Sequence, residues 1–354
     1  MSALTRGQIV LLLGSAVATA VAGALHYAGG GDLLAFVLAA VALAGLASVV
    51  SFATEQVGER FGPAVTGFLQ STLGNLPEFF IVIFALSAGQ VVVAQTSVIG
   101  SLFANALLVL GLVIVFGQGK EGVMRFRRRL PMDTTTLLLV AVFIIVIVGL
   151  AVQSHEEAGR HVDTLSAIAA ACLLAVYAVW IRSYLRSDEP REEAHEATPG
   201  RPAVPLAVSV VLLAVAGVGA AFVSEWFVDA LQPAIDQLGI SQAFAGLVIV
   251  ALAGNAVENV AGIVLAAKGE SDLAISVVKN SVAQIAAFLY PALVLVSLLF
   301  EDTLTFSLAP VYIGALFLTA IAIWQITGDG EALRFEGVAL VALYVVLAAF
   351  AFLE

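Results

Sequence analysis

Gly74-Asn75-Leu76-Pro77-Glu78 and Gly254-Asn255-Ala256-Val257-Glu258 repeat one spacing, Gly-Asn-x-x-Glu, inside two long apolar runs. A carboxylate at hydrocarbon depth is costly and by default marks a functional site. The residues beside it loosen the helix. Pro77 cannot donate to the carbonyl of Leu73, and its ring pushes that carbonyl aside. Carbonyls freed at that depth are tolerated where they line a cavity or bind something. Two carboxylates, bent backbone carbonyls, and hydroxyl or amide side chains make an all-oxygen set. Such a set suits a hard cation: Ca²⁺, Na⁺ or Mg²⁺. Gly74, Asn75, Gly254 and Asn255 belong to this expected ligand region with Glu78 and Glu258. The following runs add Ser101 and Asn105, one turn apart, and Ser281 and Gln284, with Asn280 beside them; Gln70 lies two turns before Glu78. A lone intramembrane Ser or Asn is most often a packing or hydrogen-bonding residue between helices. The same bland role for the glutamates would need a neutral carboxyl group satisfied by packing, twice, at matched positions.

The elements that must position these groups are membrane helices. The 354 residues are 61% hydrophobic and 12% charged, against about half and about a quarter for a soluble domain. A bilayer core of ~30 Å takes roughly 20 apolar residues as helix. Eleven segments meet that length, at 7–26, 32–54, 64–88, 91–117, 133–153, 163–184, 203–224, 240–267, 272–300, 306–326 and 333–353. The fold expected is an all-α membrane protein. Cys172 lies within an apolar run, so no disulfide framework exists. If the loops are assigned alternately to the two sides, Arg160 stands alone on one side and Lys279 falls inside a span. The remaining thirteen of the 15 Lys and Arg gather on the other side, which the positive-inside rule makes cytoplasmic. The N-terminus is then inside and the C-terminus outside, with the cell membrane as the expected location. The net charge of −11 is loop chemistry, and no basic face for nucleic acid exists.

At a constant offset of 180, Gly74 meets Gly254, Asn75 meets Asn255, Glu78 meets Glu258, Gly89 meets Gly269 and Ser101 meets Ser281. The duplicated unit has five helices. An odd number inserts the copies in opposite orientation, a common plan of secondary transporters. The expected organisation is an extra N-terminal helix (1–31), a first five-helix repeat (32–186), an acidic, Pro-containing cytoplasmic linker (187–202) and a second repeat (203–354). Glu78 lies ten residues before Ala88, and Glu258 equally far before Lys268. At 1.5 Å per residue both carboxylates sit about 15 Å deep, half of the core. Gly89 and Gly269 are expected helix ends. Lys279, only about 10 Å into its helix, reads as a side chain that snorkels to the interface; the sharper alternative is a tethered cation paired with a glutamate.

An intramembrane enzyme is disfavoured. "HEEAGRH", from His155, has the wrong spacing for a two-histidine zinc helix, and no G-x-S-x-G occurs. A glutamate-lined channel is the less favoured transport reading, because inverted repeats about one site suit alternating access.

The chain resembles the cation/Ca²⁺ exchanger superfamily in its Ca²⁺/H⁺ antiporter branch. The likeness covers nearly the whole sequence. It is strongest over "VTGFLQSTLGNLPEFFIVIFALSAGQVVVAQTSVIGSLFANALLVLG", from Val65, and "GLVIVALAGNAVENVAGIVLAAKGESDLAISVVKNSVAQIAAFLYPALVLV", from Gly246. The resemblance implies that Glu78 and Glu258 bind Ca²⁺ or protons alternately, with Asn75, Asn255, Ser101, Ser281 and Gln284 nearby. Ca²⁺ is then cargo, H⁺ the counter-ion, and no cofactor is called for. Residues 187–196 match the family's acidic segment in place and character. Three departures bear on ion choice and coupling rather than on fold. Leu76-Pro77 stands where Ala-Thr is usual and looks more like Na⁺/Ca²⁺ exchanger relatives, the alternative reading. Asn259 replaces a usual His, and Lys279-Asn280 replaces an apolar residue and a glycine.

Overall fold

The computed structural model describes residues 4–29, 31–61, 73–119, 122–127, 129–186 and 204–354. The first part of the expected span 64–88, Gln70 and the linker 187–202 lie outside these residues. Twelve helices follow in chain order: α1 (Arg6–Ala28), α2 (Asp32–Phe61), α3 (Leu76–Ser87), α4 (Val91–Phe116), α5 (Arg129–Gln153), α6 (Val162–Arg186), α7 (Leu206–Leu238), α8 (Gln242–Gly254), α9 (Ala256–Ala267), α10 (Ser271–Ser297), α11 (Pro310–Thr327) and α12 (Arg334–Leu353). Short strands β1 (Val123–Arg125) and β2 (Glu331–Leu333) pair antiparallel, with Met124 opposite Ala332. Among the described residues nine helices are long and apolar enough to cross a bilayer, or ten if the bent pair α8–α9 is one span. The protein is therefore an integral membrane protein. Its outermost helices are apolar on their open faces, as lipid contact requires: α1 buries only Ser15, Ala22 and Gly23, and α12 exposes Phe335, Val338, Val346 and Phe352.

Two compact units form, and they cut across the halves of the sequence. The first takes residues 1–88 and 178–240, the second 89–177 and 241–354. In the first unit α2 and α7 lie together, with Phe36 stacked on Phe227 at 4.7 Å between ring centroids and Gly219 against Leu46. Small residues let α1 approach: Gly45 faces Ser15, and Gly23 faces the Trp226 ring. Trp226, Tyr27 and His26 pack together at one end of this group, an aromatic cluster of the kind found at membrane interfaces. α7 runs to Leu238, well past the expected end at 224, because its continuation through Phe227, Val228, Leu231 and Ile235 stays buried.

The second unit is built around α4 and α10. Each contains a π-helical segment, Ala104–Val109 in α4 and Ile285–Leu289 in α10, and α8 has a third at Ala245–Val250. Such one-turn wide segments often mark functional sites. The expected span 306–326 begins only at Pro310. Before it, Leu304, Phe306 and Leu308 are buried as non-helical chain. Gln95 Nε2 donates to the Ser307 carbonyl at 2.7 Å, Tyr290 Oη donates to that of Thr305 at 2.7 Å, and Ser166 Oγ accepts from Phe306 N at 3.2 Å. These side chains satisfy backbone groups that a helix would otherwise pair, and a proline suits the first turn of the helix that follows.

Candidate functional site

The break at Asn255 comes from sequence too weak to hold a continuous helix. α8 and α9 meet there at 63°. Asn255 leaves helical geometry, with φ −106° and ψ 13°. Its side chain turns back, and Nδ2 donates to the Ala251 carbonyl at 3.1 Å and to Ser101 Oγ at 2.8 Å. Asn105, in the π segment of α4, donates Nδ2 to the Ser101 carbonyl at 3.0 Å. Ser101, Asn105 and Asn255 thus form one buried network. Glu258 follows in the first turn of α9, and Ser281 Oγ of α10 donates to its Oε2 at 2.5 Å. Gln284 is buried one turn beyond Ser281 and joins neither network.

The electrostatics of a broken helix favour both charges of an ion pair here. The N-terminal end of α9 carries the positive end of its dipole beside Glu258, which stabilises the carboxylate. The C-terminal end of α8, at Gly254, presents carbonyls that have lost their intrahelical donors, and these attract a cation. A serine hydroxyl, a carboxylate and carbonyl oxygens are ligands of one hardness class. Replacing Ser281 by Ala removes one donor to Glu258 and is expected to weaken the binding of a cation at this carboxylate by roughly 10- to 100-fold, the worth of a hydrogen bond to a charged group at about 1.5–3 kcal/mol. Unchanged cation affinity in the Ser281→Ala variant would mean that this hydroxyl plays no part.

In the first unit the same local chemistry recurs. Gly74 and Asn75 form a turn, with Asn75 at φ −91° and ψ 13°, close to Asn255. Pro77 lies in the first turn of α3, so it does not kink a continuous helix at Leu73 as its sequence position suggested; it opens a new one, where its missing N–H costs little. The α8–α9 break has no proline, so Gly-Asn is the shared signal and Pro77 reinforces it. Glu78 and Asn75 are buried, and Ser224 of α7 donates to the Pro77 carbonyl at 3.4 Å. Gly89 and Gly269, both with positive φ, end α3 and α9 as expected.

Sequence reasoning missed the partners of Lys279. The side chain is buried rather than snorkelling, and Nζ donates to Thr135 of α5 and Thr327 of α11. It does not reach Glu258. Asn259 was noticed only as a departure from a family pattern; it is buried, and its Oδ1 accepts no hydrogen bond. No local signal marks Thr135 or Thr327, which lie 144 and 48 residues from Lys279.

Known proteins share this sequence and fold over most of the chain. The sodium/calcium exchanger protein family model matches residues 32–183 and 208–353. The vacuolar calcium ion transporter of Schizosaccharomyces pombe is 32% identical over 325 residues, 88% of this chain and 77% of that protein. The Ca²⁺/H⁺ antiporter of Synechocystis is 29% identical over 366 residues, 97% of each. The solved structure of native YfkE superposes with a TM-score of 0.81 at 26% identity, covering 97% of this chain and 100% of that one. With its matched helices and its broken-helix glutamates, this chain belongs to the sodium/calcium exchanger protein family.

Proposed function

We propose that the protein is a secondary-active antiporter that exchanges Ca²⁺ for H⁺ by alternating access, with Glu78 and Glu258 as the ion-binding carboxylates. The observation that carries this reading is a glutamate in the first turn of a half-helix that begins at a Gly-Asn break, found at both motifs, with Glu78 buried and Glu258 partly buried. Relatives named as Ca²⁺/H⁺ antiporters in Synechocystis and Bacillus subtilis support the choice of ions. A carboxylate that accepts a proton loses the charge that holds Ca²⁺, so one site can serve both ions in turn. Carboxylates that share one ion titrate as a pair, with pKa values that belong to neither residue alone. Asn75, Asn255, Ser101, Asn105, Ser281 and Gln284 are proposed to line the route or the ion, with carbonyls at Gly74 and Gly254.

Contacts between loops support eleven spans in an inverted-repeat order. Arg60, in the last turn of α2, donates to the Val204 carbonyl just before α7 at 2.6 Å. These ends share a side only if an even number of crossings separates them. α4, α5 and α6 make three, which favours reading the expected segment 64–88 as a fourth. β1 and β2 likewise pair across six crossings when α8–α9 counts as one span; a re-entrant α8–α9 would leave five. The β-strand end of the second unit carries Arg125, Arg127 and Lys268. The opposite end carries Arg160 with Glu156, Glu157, Asp163, Asp302 and Glu354. That split supports a cytoplasmic β-strand end and N-terminus, an outer C-terminus, and placement in the cell membrane.

The test is ⁴⁵Ca²⁺ uptake into proteoliposomes. An imposed pH gradient, with Na⁺ absent, is expected to drive accumulation above equilibrium. Accumulation driven by a Na⁺ gradient with pH clamped on both sides, and none with a pH gradient, would replace this reading with Na⁺/Ca²⁺ exchange.

A further inference from the structure

Lys279 lies on α10 two residues before Ser281, whose hydroxyl holds Glu258. It is 4% exposed. Nζ donates to Thr135 Oγ1 at 2.5 Å and to Thr327 Oγ1 at 2.7 Å. Thr327 commits its own hydroxyl proton to the Ile323 carbonyl at 2.7 Å and so turns a lone pair to the ammonium. Both partners are neutral, and no carboxylate among the described residues forms an ion pair with Lys279. Packing does not demand a lysine at this depth. One repeat earlier, at the same offset of 180, stands Ile99, which is 1% exposed. An intramembrane charge without a counter-charge is a functional candidate before it is a structural one.

We infer that Lys279, in its protonated form, is an internal cation that lowers the affinity of the exchange site for divalent ions and so hastens their release. The inference rests on the reading of Glu258 as an ion-binding carboxylate. Two helical residues and two side chains separate the ammonium from that carboxylate, a distance on the order of 12 Å. The Thr135 and Thr327 hydroxyls hold the ammonium toward α5 and α11, so it acts through space and not as a ligand. Its effect on an ion scales with the ion's charge. With an effective dielectric between that of a protein surface and that of water, the repulsion weakens Ca²⁺ about tenfold and a trivalent ion such as La³⁺ roughly thirtyfold.

The experiment compares Lys279→Ile, Lys279→Gln and Lys279→Arg with the wild type in the proteoliposome assay. The readouts are the KM for Ca²⁺ and the La³⁺ concentration that halves uptake. Lys279→Ile carries the residue found in the first half; Lys279→Gln is also neutral but can still donate to both threonines. Expected are a Ca²⁺ KM about tenfold lower in both neutral variants, a larger fall for La³⁺ than for Ca²⁺, and near wild-type values in Lys279→Arg. If Lys279→Ile fails to insert, Lys279→Gln answers the same question. An unchanged KM in the inserted neutral variants overturns the inference, and so does loss of uptake in all three, which would make Lys279 a packing residue. A wild-type protein that exchanges no Ca²⁺ for H⁺ would instead overturn the functional reading beneath it.

Discussion

Glu258→Gln is expected to abolish Ca²⁺-driven proton flux while the protein still inserts and purifies as the wild type does. The substitution is close to isosteric, and the amide oxygen of Gln can still accept from Ser281 Oγ, which now donates to Glu258 Oε2. What disappears is the charge, and with it the proton that the carboxylate is proposed to exchange for the ion. Removing one partner of a buried charge pair costs about 3–5 kcal/mol, so Ca²⁺ affinity should fall by at least about a hundredfold. Glu78→Gln should behave in the same way, because Glu78 likewise lies in the first turn of its half-helix, where it is buried. The pH dependence gives a second signature. In the wild type, Ca²⁺ affinity is expected to fall as pH falls, because protons would compete for the proposed carboxylates; with one carboxylate gone, the dependence should be shallower. Proton flux followed with a pH-sensitive dye inside Ca²⁺-loaded proteoliposomes measures the first effect. Exchange at the wild-type rate by either variant would remove that glutamate from the site.

Gly100→Val is expected to deprive the protein of its folded state. Gly100 is where α4 crosses α8, and a Cβ there would overlap the Leu247 backbone, including its carbonyl. The crossing is reciprocal: a Cβ on Gly246 would overlap Thr96 Oγ1 and the Val93 carbonyl. Helices in membranes associate through close packing of small residues of this kind. Backbone atoms cannot rotate away as a side-chain tip can, so α4 and α8 would have to separate along their length. Overpacking costs roughly 1–3 kcal/mol even where side chains can yield, and more is expected here. α8 leads into the break at Asn255, and α4 carries Ser101, to which Asn255 donates. The crossing therefore sets the Asn255–Ser101 network as well as the fold. Gly314→Ala is the control, since nothing lies within 4 Å of a Cβ at that helical position. Gel filtration in detergent and thermal unfolding should show Gly100→Val aggregated or unfolded and Gly314→Ala at least as stable as the wild type. A well-behaved Gly100→Val would mean that this crossing is looser than the structure describes.

The sequence alone determined that the chain crosses a membrane many times, roughly where most of the helices lie, and that two glutamates stand within its apolar runs. These are local properties. The transfer free energy of each side chain into hydrocarbon depends on the residue itself, so apolar runs report burial in lipid directly, and a glutamate inside one stands out. The Gly-Asn signal was equally legible, because a weak helix former beside an amide that competes for backbone hydrogen bonds breaks a helix wherever it occurs. Tertiary structure decided what each polar group meets. Ser281 on Glu258 joins residues 23 apart, yet Asn255 on Ser101 spans 154 and Lys279 on Thr135 spans 144. No periodicity encodes such pairs, since they follow from which helices become neighbours. The non-helical chain before Pro310 was hidden for the same reason. Its hydropathy fits a span, but Gln95 and Ser166, far away in sequence, satisfy its backbone and release it from the helix. Lys279 shows the limit most plainly: its depth in the helix pointed to the interface, but two threonines from other helices hold it buried instead.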